Sequence, residues 1–202
     1  MFKHIIKNKM KKTLIALFAT VALFAFKPAA DTTWKLDGAH SKLGFSITHM
    51  MVSDVEGSFK NVEASIISSK DDFSDAKVEL SADVASVNTD NDRRDGHLKS
   101  ADFFDAEKFP KMTFKSTSFK KTGANTYKVT GDFTIKGVTK TVVLDATLRG
   151  LNTSNPKKTI AGFKVTGTIK RKDFGIGTSM ASATLGDDVA LSANTEFVKT
   201  VQ

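Results

Sequence analysis

From Trp34 onward, apolar and polar residues alternate along the chain in runs that are separated by short stretches of Gly, Asn, Asp and Ser. A period of two is typical of half-buried antiparallel strands, which have one face against a core and the other in water. The clearest run covers residues 76–84, and its apolar face is formed by Ala76, Val78, Leu80, Ala82 and Val84. The alternation therefore predicts an all-β domain.

The number of such runs constrains the architecture. Eight can be counted, over residues 43–49, 55–67, 76–84, 112–119, 127–135, 142–148, 163–169 and 189–197. In the second run the apolar phase slips between Phe59 and Val62, which predicts a β-bulge near Asn61. About eight long strands form either a two-sheet sandwich or a barrel that is filled by side chains or holds one small ligand. The pattern alone leaves these architectures open.

Two features of composition favour a hollow barrel. Gly57, Gly131 and Gly167 fall on the inward-facing positions, where a solid core would need bulk. The chain also has 16 Phe but one Tyr and one Trp, so its large side chains carry few polar groups, as suits an apolar channel. The alternative interpretation is that these glycines relieve strain in coiled strands and that the phenylalanines fill an ordinary core.

The N-terminal segment has a different character. Residues 1–30 contain six Lys and no acidic residue, and an apolar run extends from Leu14 to Phe26. That run is shorter than the roughly 20 residues that span a bilayer, so it predicts a secretory signal peptide rather than a retained anchor. We expect a single mature domain over residues 31–202, in the periplasm or secreted.

Removal of that segment changes the charge. It leaves 24 Lys and Arg against 22 Asp and Glu, a net charge of +2, which argues against a nucleic-acid partner. The absence of cysteine excludes disulfides, thiolate metal sites and a cysteine nucleophile.

The alternation stops in residues 93–110, a charged segment with three Phe that ends at Pro110. It predicts a short helical cap between strands. We expect Arg93, Arg94, His97, Phe103 and Phe104 to form the mouth or lid of the barrel.

Three histidines follow the N-terminal segment. His40 lies in a turn, which favours a structural role, whereas His49 lies on the apolar face of its strand and is expected to point inward. His97 belongs to the cap. No spacing matches a zinc motif, a nucleophile elbow, a P-loop or a dinucleotide fingerprint, and residues 171–177 are interpreted as a structural turn. The sequence motifs therefore indicate no metal site and no cofactor.

Several segments together resemble the YceI-like family of secreted polyisoprenoid-binding proteins. The resemblance is carried by Asp37-Gly38-Ala39-His40-Ser41 with Phe45 and His49, by Gly57-Ser58-Phe59, by residues 94–98 and 102–105, by Phe109-Pro110, by Phe114-Lys115-Ser116, and by residues 131–140 and 171–175. It implies an extended, lipocalin-like antiparallel barrel of eight strands whose apolar channel holds an isoprenoid or another long-chain amphiphile. It also implies no enzymatic activity.

On this basis we expect the protein to bind, and to carry or store, such a lipid. The residues predicted to contact the ligand are Phe45, Ile47, His49, Val78, Leu80, Val84, Phe114, Val129, Phe133, Val142, Leu144, Phe163, Val165, Ile169 and Leu191. Transient membrane contact and a homodimer are compatible with this role. Two alternatives remain at this point: a lipid-modifying enzyme that uses His49 or His97 as a base, and a filled barrel that binds protein partners.

Overall fold

The computed structural model of the chain describes residues 30–200; the predicted signal peptide lies outside them except for Ala30. The strands are β1 (Thr32–Leu36), β2 (Lys42–His49), β3 (Ser53–Phe59), β4 (Val62–Ser68), β5 (Lys77–Asp83), β6 (Val87–Asn88), β7 (Lys111–Lys121), β8 (Thr126–Ile135), β9 (Val138–Asn152), β10 (Lys158–Lys170) and β11 (Leu185–Thr200). One α-helix, α1 (Asp92–Lys99), lies between β6 and β7, and short 3₁₀ turns cover Gly38–His40, Val84–Ser86 and Arg171–Phe174. Within this part of the chain, no helix is long and apolar enough to cross a membrane.

The strands form a closed antiparallel barrel with eight strand positions around its axis, here called staves. Strands β7 to β11 are continuous staves, and the other three consist of two strands each: β1 with β2, β3 with β4, and β5 with β6. The strand order β1-β4-β5-β7-β8-β9-β10-β11 closes on itself because β11 pairs with β1 near its C-terminal end and with β2 along its N-terminal part. The predicted eight-stranded, lipocalin-like barrel with a short helical cap is confirmed.

The phase slip near Asn61 is present, but its form differs from the prediction. Instead of a bulge in one continuous strand, β3 ends at Phe59 and β4 begins at Val62. The two residues between them bond to the turn that separates β5 from β6: the Lys60 N–H donates to the Ser86 carbonyl at 3.1 Å, and the Asn61 carbonyl accepts from the Asp83 N–H at 2.9 Å. The interruption therefore runs across neighbouring staves, which lets the barrel bend there without losing backbone hydrogen bonds.

Aromatic side chains close one end of the barrel, here called the floor. Phe73, which lies in the loop between β4 and β5, is fully buried. Its ring centroid lies 5.1 Å from that of Trp34 and 5.1 Å from that of Phe163, in tilted and edge-to-face arrangements. The Tyr127 hydroxyl fixes the same loop by donating to the Asp72 carbonyl at 2.7 Å.

The cap closes the opposite end. Helix α1 begins after Asn91, whose side chain accepts a hydrogen bond from the Arg94 N–H at 2.9 Å. The segment after α1 places Phe104 against Phe59 of β3, with ring centroids 5.8 Å apart. Because the cap packs onto a wall residue, its position is coupled to the shape of the interior.

A candidate lipid cavity in two chambers

The barrel interior contains two chambers that share part of their lining. The chamber next to the floor, the floor chamber, has a volume of about 140 Å³. The chamber beneath the cap, the cap chamber, has a volume of about 280 Å³. Four residues border both: Leu43, Phe59, Phe133 and Leu191. These four side chains form a waist in the middle of the barrel.

Most of the residues predicted to contact a ligand line these chambers. Those in the floor chamber are Val78, Leu80, Phe114, Val129, Leu144, Phe163 and Val165. Those in the cap chamber are Phe45, Ile47, His49 and Ile169, and Phe133 and Leu191 belong to the waist. Their position in the fold follows from the period-two pattern, and their contact with a ligand stays a prediction.

Val84 and Val142 do not line either chamber. The alternation of apolar residues continues to Val84, but β5 ends at Asp83. Val84 is therefore buried in the 3₁₀ turn that follows the strand. Val142 lies opposite Gly131 on the neighbouring strand β8 and packs against the core cluster. The structure therefore gives no support to the predicted ligand contacts of these two residues.

Of the five residues predicted to form the mouth or lid, four line a chamber and one does not. Arg94, His97, Phe103 and Phe104 line the cap chamber. Arg93 is exposed on the outer side of α1 and does not line it. Since consecutive residues of a helix point about 100° apart, only one of two adjacent arginines can face the chamber.

A hydrogen-bond network around Thr89 fixes Arg94. The Arg94 Nε and Nη2 atoms donate to the Thr89 hydroxyl and carbonyl oxygens, both at 2.7 Å. The buried carboxylate of Asp95 accepts from the Thr89 N–H at 2.9 Å and from its hydroxyl at 2.6 Å. The guanidinium is thereby held against the wall of the chamber, and Thr89 links it to the Asp95 carboxylate.

Two imidazoles also reach the cap chamber. His49 is half-buried near the end of β2, where it pairs with Ser53 of β3 and Leu185 of β11. His97 packs edge-on against Phe103, with ring centroids 4.8 Å apart, and its Nε2 lies 3.8 Å from an exposed Asp102 oxygen. The polar groups of His49, Arg94 and His97 therefore lie in the cap chamber and not in the floor chamber.

Sequence reasoning missed the role of Arg171. This side chain is 1% exposed and lies at the cap chamber, although the sequence identified only a structural turn here. Its guanidinium donates to five backbone carbonyls, those of Ile176, Gly177, Met180, Leu185 and Gly186. Arg171 thus folds the loop between β10 and β11 over the chamber, and its hydrogen-bonding capacity is used by the protein itself.

The inward glycines do not create the free volume. A Cβ atom on Gly57 would clash with the Phe45 ring, one on Gly131 with the Phe114 ring, and one on Gly167 with Leu144. Each glycine gives space to a side chain of a neighbouring strand. The hypothesis that these glycines hollow out the channel is therefore wrong: the space beside each one is filled by a side chain that itself lines a chamber.

A separate polar cluster lies at the turn between β1 and β2. Side-chain atoms of Asp37, His40 and Glu196 lie within 4.8 Å of one another. The Asp37 carboxylate is 3.0 Å from His40 Nδ1, and this hydrogen bond raises the pKa of His40 and lowers that of Asp37. The backbone of Glu196 bonds to the Asp37 N–H and to the Ser41 hydroxyl. The cluster clamps the interrupted stave to β11, in agreement with the structural role expected for His40.

Comparison with known proteins gives consistent results. Residues 34–197 match the family described as the YceI-like domain. A UPF0312 protein of Staphylococcus aureus (strain bovine RF122 / ET3-1) is 41% identical over 172 residues, which cover 82% of this chain and 97% of that protein. The crystal structure of a Campylobacter jejuni YceI protein is 40% identical, with a TM-score of 0.69 over 83% of this chain and 96% of that one. A polyisoprenoid binding domain from Saccharophagus degradans, implicated in plant cell wall breakdown, has a TM-score of 0.64 at 16% identity, over 84% of this chain and 99% of that one.

Proposed function

The chain belongs to the YceI-like family, and from that premise we propose that it binds an isoprenoid or another long-chain amphiphilic lipid inside its barrel, as a carrier or a store. The observation that carries this proposal is the two-chamber interior, which is largely apolar and has its two imidazoles and its two arginines at the cap end. Together the two volumes exceed the lower end of the roughly 300–1,000 Å³ of typical ligand pockets.

Apolar burial provides the affinity in this proposal. Each CH₂ group moved from water into the barrel contributes about 0.8 kcal/mol, so a chain of about ten carbons yields several kcal/mol after ordering costs. No elaborate polar chemistry is required. The tail would pass the waist at Leu43, Phe59, Phe133 and Leu191 into the floor chamber. One lining residue of that chamber, Phe163, packs against the buried Phe73 of the floor.

The polar head would remain in the cap chamber. Arg94, His49 and His97 offer hydrogen-bond donors there, and Arg94 supplies a positive charge for an anionic or strongly polar head group. Arg93 is left out of this assignment because it points to solvent. The lipid would therefore enter tail first and lie with its head under α1.

The family match and the structural comparisons support this proposal. The Saccharophagus degradans domain is described as polyisoprenoid-binding. At 16% identity, its similarity is evidence for a shared fold and not for a shared ligand. We infer a binding role rather than catalysis because the Asp102 carboxylate beside His97 is exposed and 3.8 Å from its Nε2, which is too far for the hydrogen bond that orients a catalytic base. A periplasmic or secreted location, from the predicted signal peptide, belongs to the same proposal and is tested by cell fractionation.

The deciding experiment is native mass spectrometry of the protein purified from its own host without detergent, followed by solvent extraction of the released compound. We expect one unmodified long-chain lipid per chain. The inward charge of Phe133→Asp should abolish this adduct, and Val143→Asp on the outer face, where Val143 is 55% exposed, serves as the matched control.

Two outcomes would redirect the proposal. An empty protein that also refuses added quinones and polyprenyl lipids would favour a protein-binding barrel. A chemically altered lipid whose formation stops in His49→Ala or His97→Ala would favour an enzyme.

A further inference from the structure

The hairpin between β2 and β3 ends in three exposed apolar residues. Met50 is 59% exposed, Met51 is 73% exposed and Val52 is 83% exposed, more than any other large apolar side chain in the described part of the chain. Scattered single apolar residues are normal on a protein surface. Three in succession at the tip of a hairpin are not accounted for by the packing of the barrel.

The backbone of this tip is strained. Met50 has φ 51° and Met51 has φ 59°, a left-handed conformation that favours Gly, Asn or Asp and that each L-residue adopts only at a cost. A sequence such as Asn-Gly would make the same turn without that strain. The chain places two methionines there instead, and strained positions with the wrong turn residues are concentrated at functional sites.

The tip is also held in a fixed position. The Val52 N–H donates to the His49 carbonyl at 3.2 Å, and the Met50 N–H donates to the Thr184 carbonyl at 2.9 Å, in the loop before β11. At its base the Thr48 hydroxyl donates to the Asp54 carboxylate at 2.8 Å. The three apolar side chains are therefore presented by a hairpin whose backbone is hydrogen-bonded on both sides of the tip.

The tip adjoins the cap chamber. Ile47 and His49 before it, and Val55 after it, line that chamber. An apolar surface that contacts the tip would thus lie beside the chamber proposed to hold the lipid head.

The size and charge of the tip indicate what it contacts. A standard protein interface uses roughly 20–30 residues on each side, whereas this tip offers three. The charged residues of the same hairpin next to the tip are Asp54 and Glu56, which would not be attracted to an anionic surface. Methionine and valine beside polar flanks suit shallow insertion at the level of lipid head groups.

We propose that Met50, Met51 and Val52 insert into the surface of a zwitterionic lipid bilayer, so that the cap chamber is brought to the membrane where it takes up or releases its lipid. The exchange step rests on the function proposed above, whereas insertion itself does not. Because each apolar side chain contributes separately, Met50→Ser with Met51→Ser should lower the apparent affinity for vesicles by about tenfold or more.

The experiment uses the absence of cysteine from the chain. Val52→Cys and, as the matched control, Val143→Cys are each introduced into the full chain and labelled with the environment-sensitive fluorophore NBD. Both proteins then carry the same N-terminal segment. With phosphatidylcholine vesicles we expect a blue shift, a severalfold rise in emission at position 52, and quenching by nitroxide-labelled lipid. Added phosphatidylglycerol should not strengthen these signals.

Three results separate the possibilities. A label at position 52 that responds no more than the label at position 143 overturns the proposal. A response that depends on protein concentration without vesicles also overturns it, because the tip would then bind a second copy. Loading of lipid from ethanol, measured in parallel, tests the cavity alone: a chain that inserts its tip but never loads lipid would refute the proposed function and leave the membrane contact standing.

Discussion

The ring of Phe45 on β2 lies over Gly57 on β3, the residue with which Phe45 pairs directly across the antiparallel ladder. A Cβ atom at Gly57 would overlap this ring and would also approach the Thr89 methyl group at 2.8 Å. Phe45 lines the cap chamber, and Thr89 holds Arg94 at its wall. The glycine therefore determines the shape of the chamber through its neighbours.

Gly57→Ala should destabilise the fold by about 1–3 kcal/mol, because an added methyl group in a packed region displaces the Phe45 ring. The variant should also bind less lipid than its fraction of folded protein would account for. Urea unfolding and lipid titration measure the two effects. Gly96→Ala in α1 is the control, since nothing lies within 4 Å of its added Cβ, and it should leave stability unchanged or raise it slightly. Equal behaviour of the two variants would contradict the packing argument.

Val78→Trp should shorten the usable cavity. Val78 lines the floor chamber, so a bulkier side chain there fills the space that the end of a long tail would occupy. We expect affinity for a long polyprenyl chain to fall at least tenfold, and affinity for an isoprenoid short enough to stay in the cap chamber to change little. Competition with a fluorescent lipid compares the two. Lys77→Trp, on the outer face of the same strand, is the control, and a similar loss with both variants would show that the effect is not one of cavity length.

The sequence was sufficient to predict most of the strands and most of their inward-facing residues, but not β1 or β6. Alternation is a local property, so Val78 and Leu80, or Val129 and Phe133, could be assigned to one face without knowledge of their partners. The closure of the barrel could not be predicted from local alternation. It depends on β11 pairing with both β1 and β2, and the phase slip at Asn61 could not show that the Ser86 turn lies across from it.

The floor and the loop over the cap chamber could not be predicted. Phe73 stands between acidic and serine residues in a segment that has the composition of a surface turn, yet its ring is buried against Trp34 and Phe163. In the sequence, Arg171 follows a strand and has the pattern of a basic side chain exposed to solvent. Its burial depends on carbonyl groups 5 to 15 residues later in the chain, which no local pattern shows.

Arg171→Lys should destabilise the protein by about 2–4 kcal/mol although the charge is kept. An ammonium group cannot reach the set of carbonyls that the guanidinium fork satisfies, so buried acceptors lose their partners. Urea unfolding measures the loss, and hydrogen exchange should show faster opening of residues 176–186. Lys170→Gln is the control because it removes only an exposed ion pair with Asp188, worth at most about 1 kcal/mol. If Arg171→Lys were as mild as the control, the loop would be held by other contacts.

Asp75 makes stability depend on pH through the floor loop. Burial acts to raise the pKa of its carboxyl, but hydrogen bonds from Ser68 and Ser69 outweigh burial and hold the pKa well below the usual 3.8. The two hydroxyls lie at 2.5 Å and the Ser69 N–H at 3.0 Å. A carboxyl whose pKa is lowered by folding stabilises the native state above its unfolded pKa, and that contribution is lost as the pH falls below it.

Asp75→Asn should therefore lower the free energy of unfolding at pH 7 by about 1–3 kcal/mol, because charge-assisted hydrogen bonds become neutral ones. Below about pH 4 the gap between the wild type and the variant should narrow, since the wild-type carboxyl becomes protonated in the unfolded chain. Urea unfolding from pH 7 down to pH 3 follows this difference. Asp71→Asn, in the same loop with a side chain that is 90% exposed, is the control and should cost little at any pH. A gap for Asp75→Asn that stays constant over this range would show that the serine hydrogen bonds do not favour the ionised carboxyl.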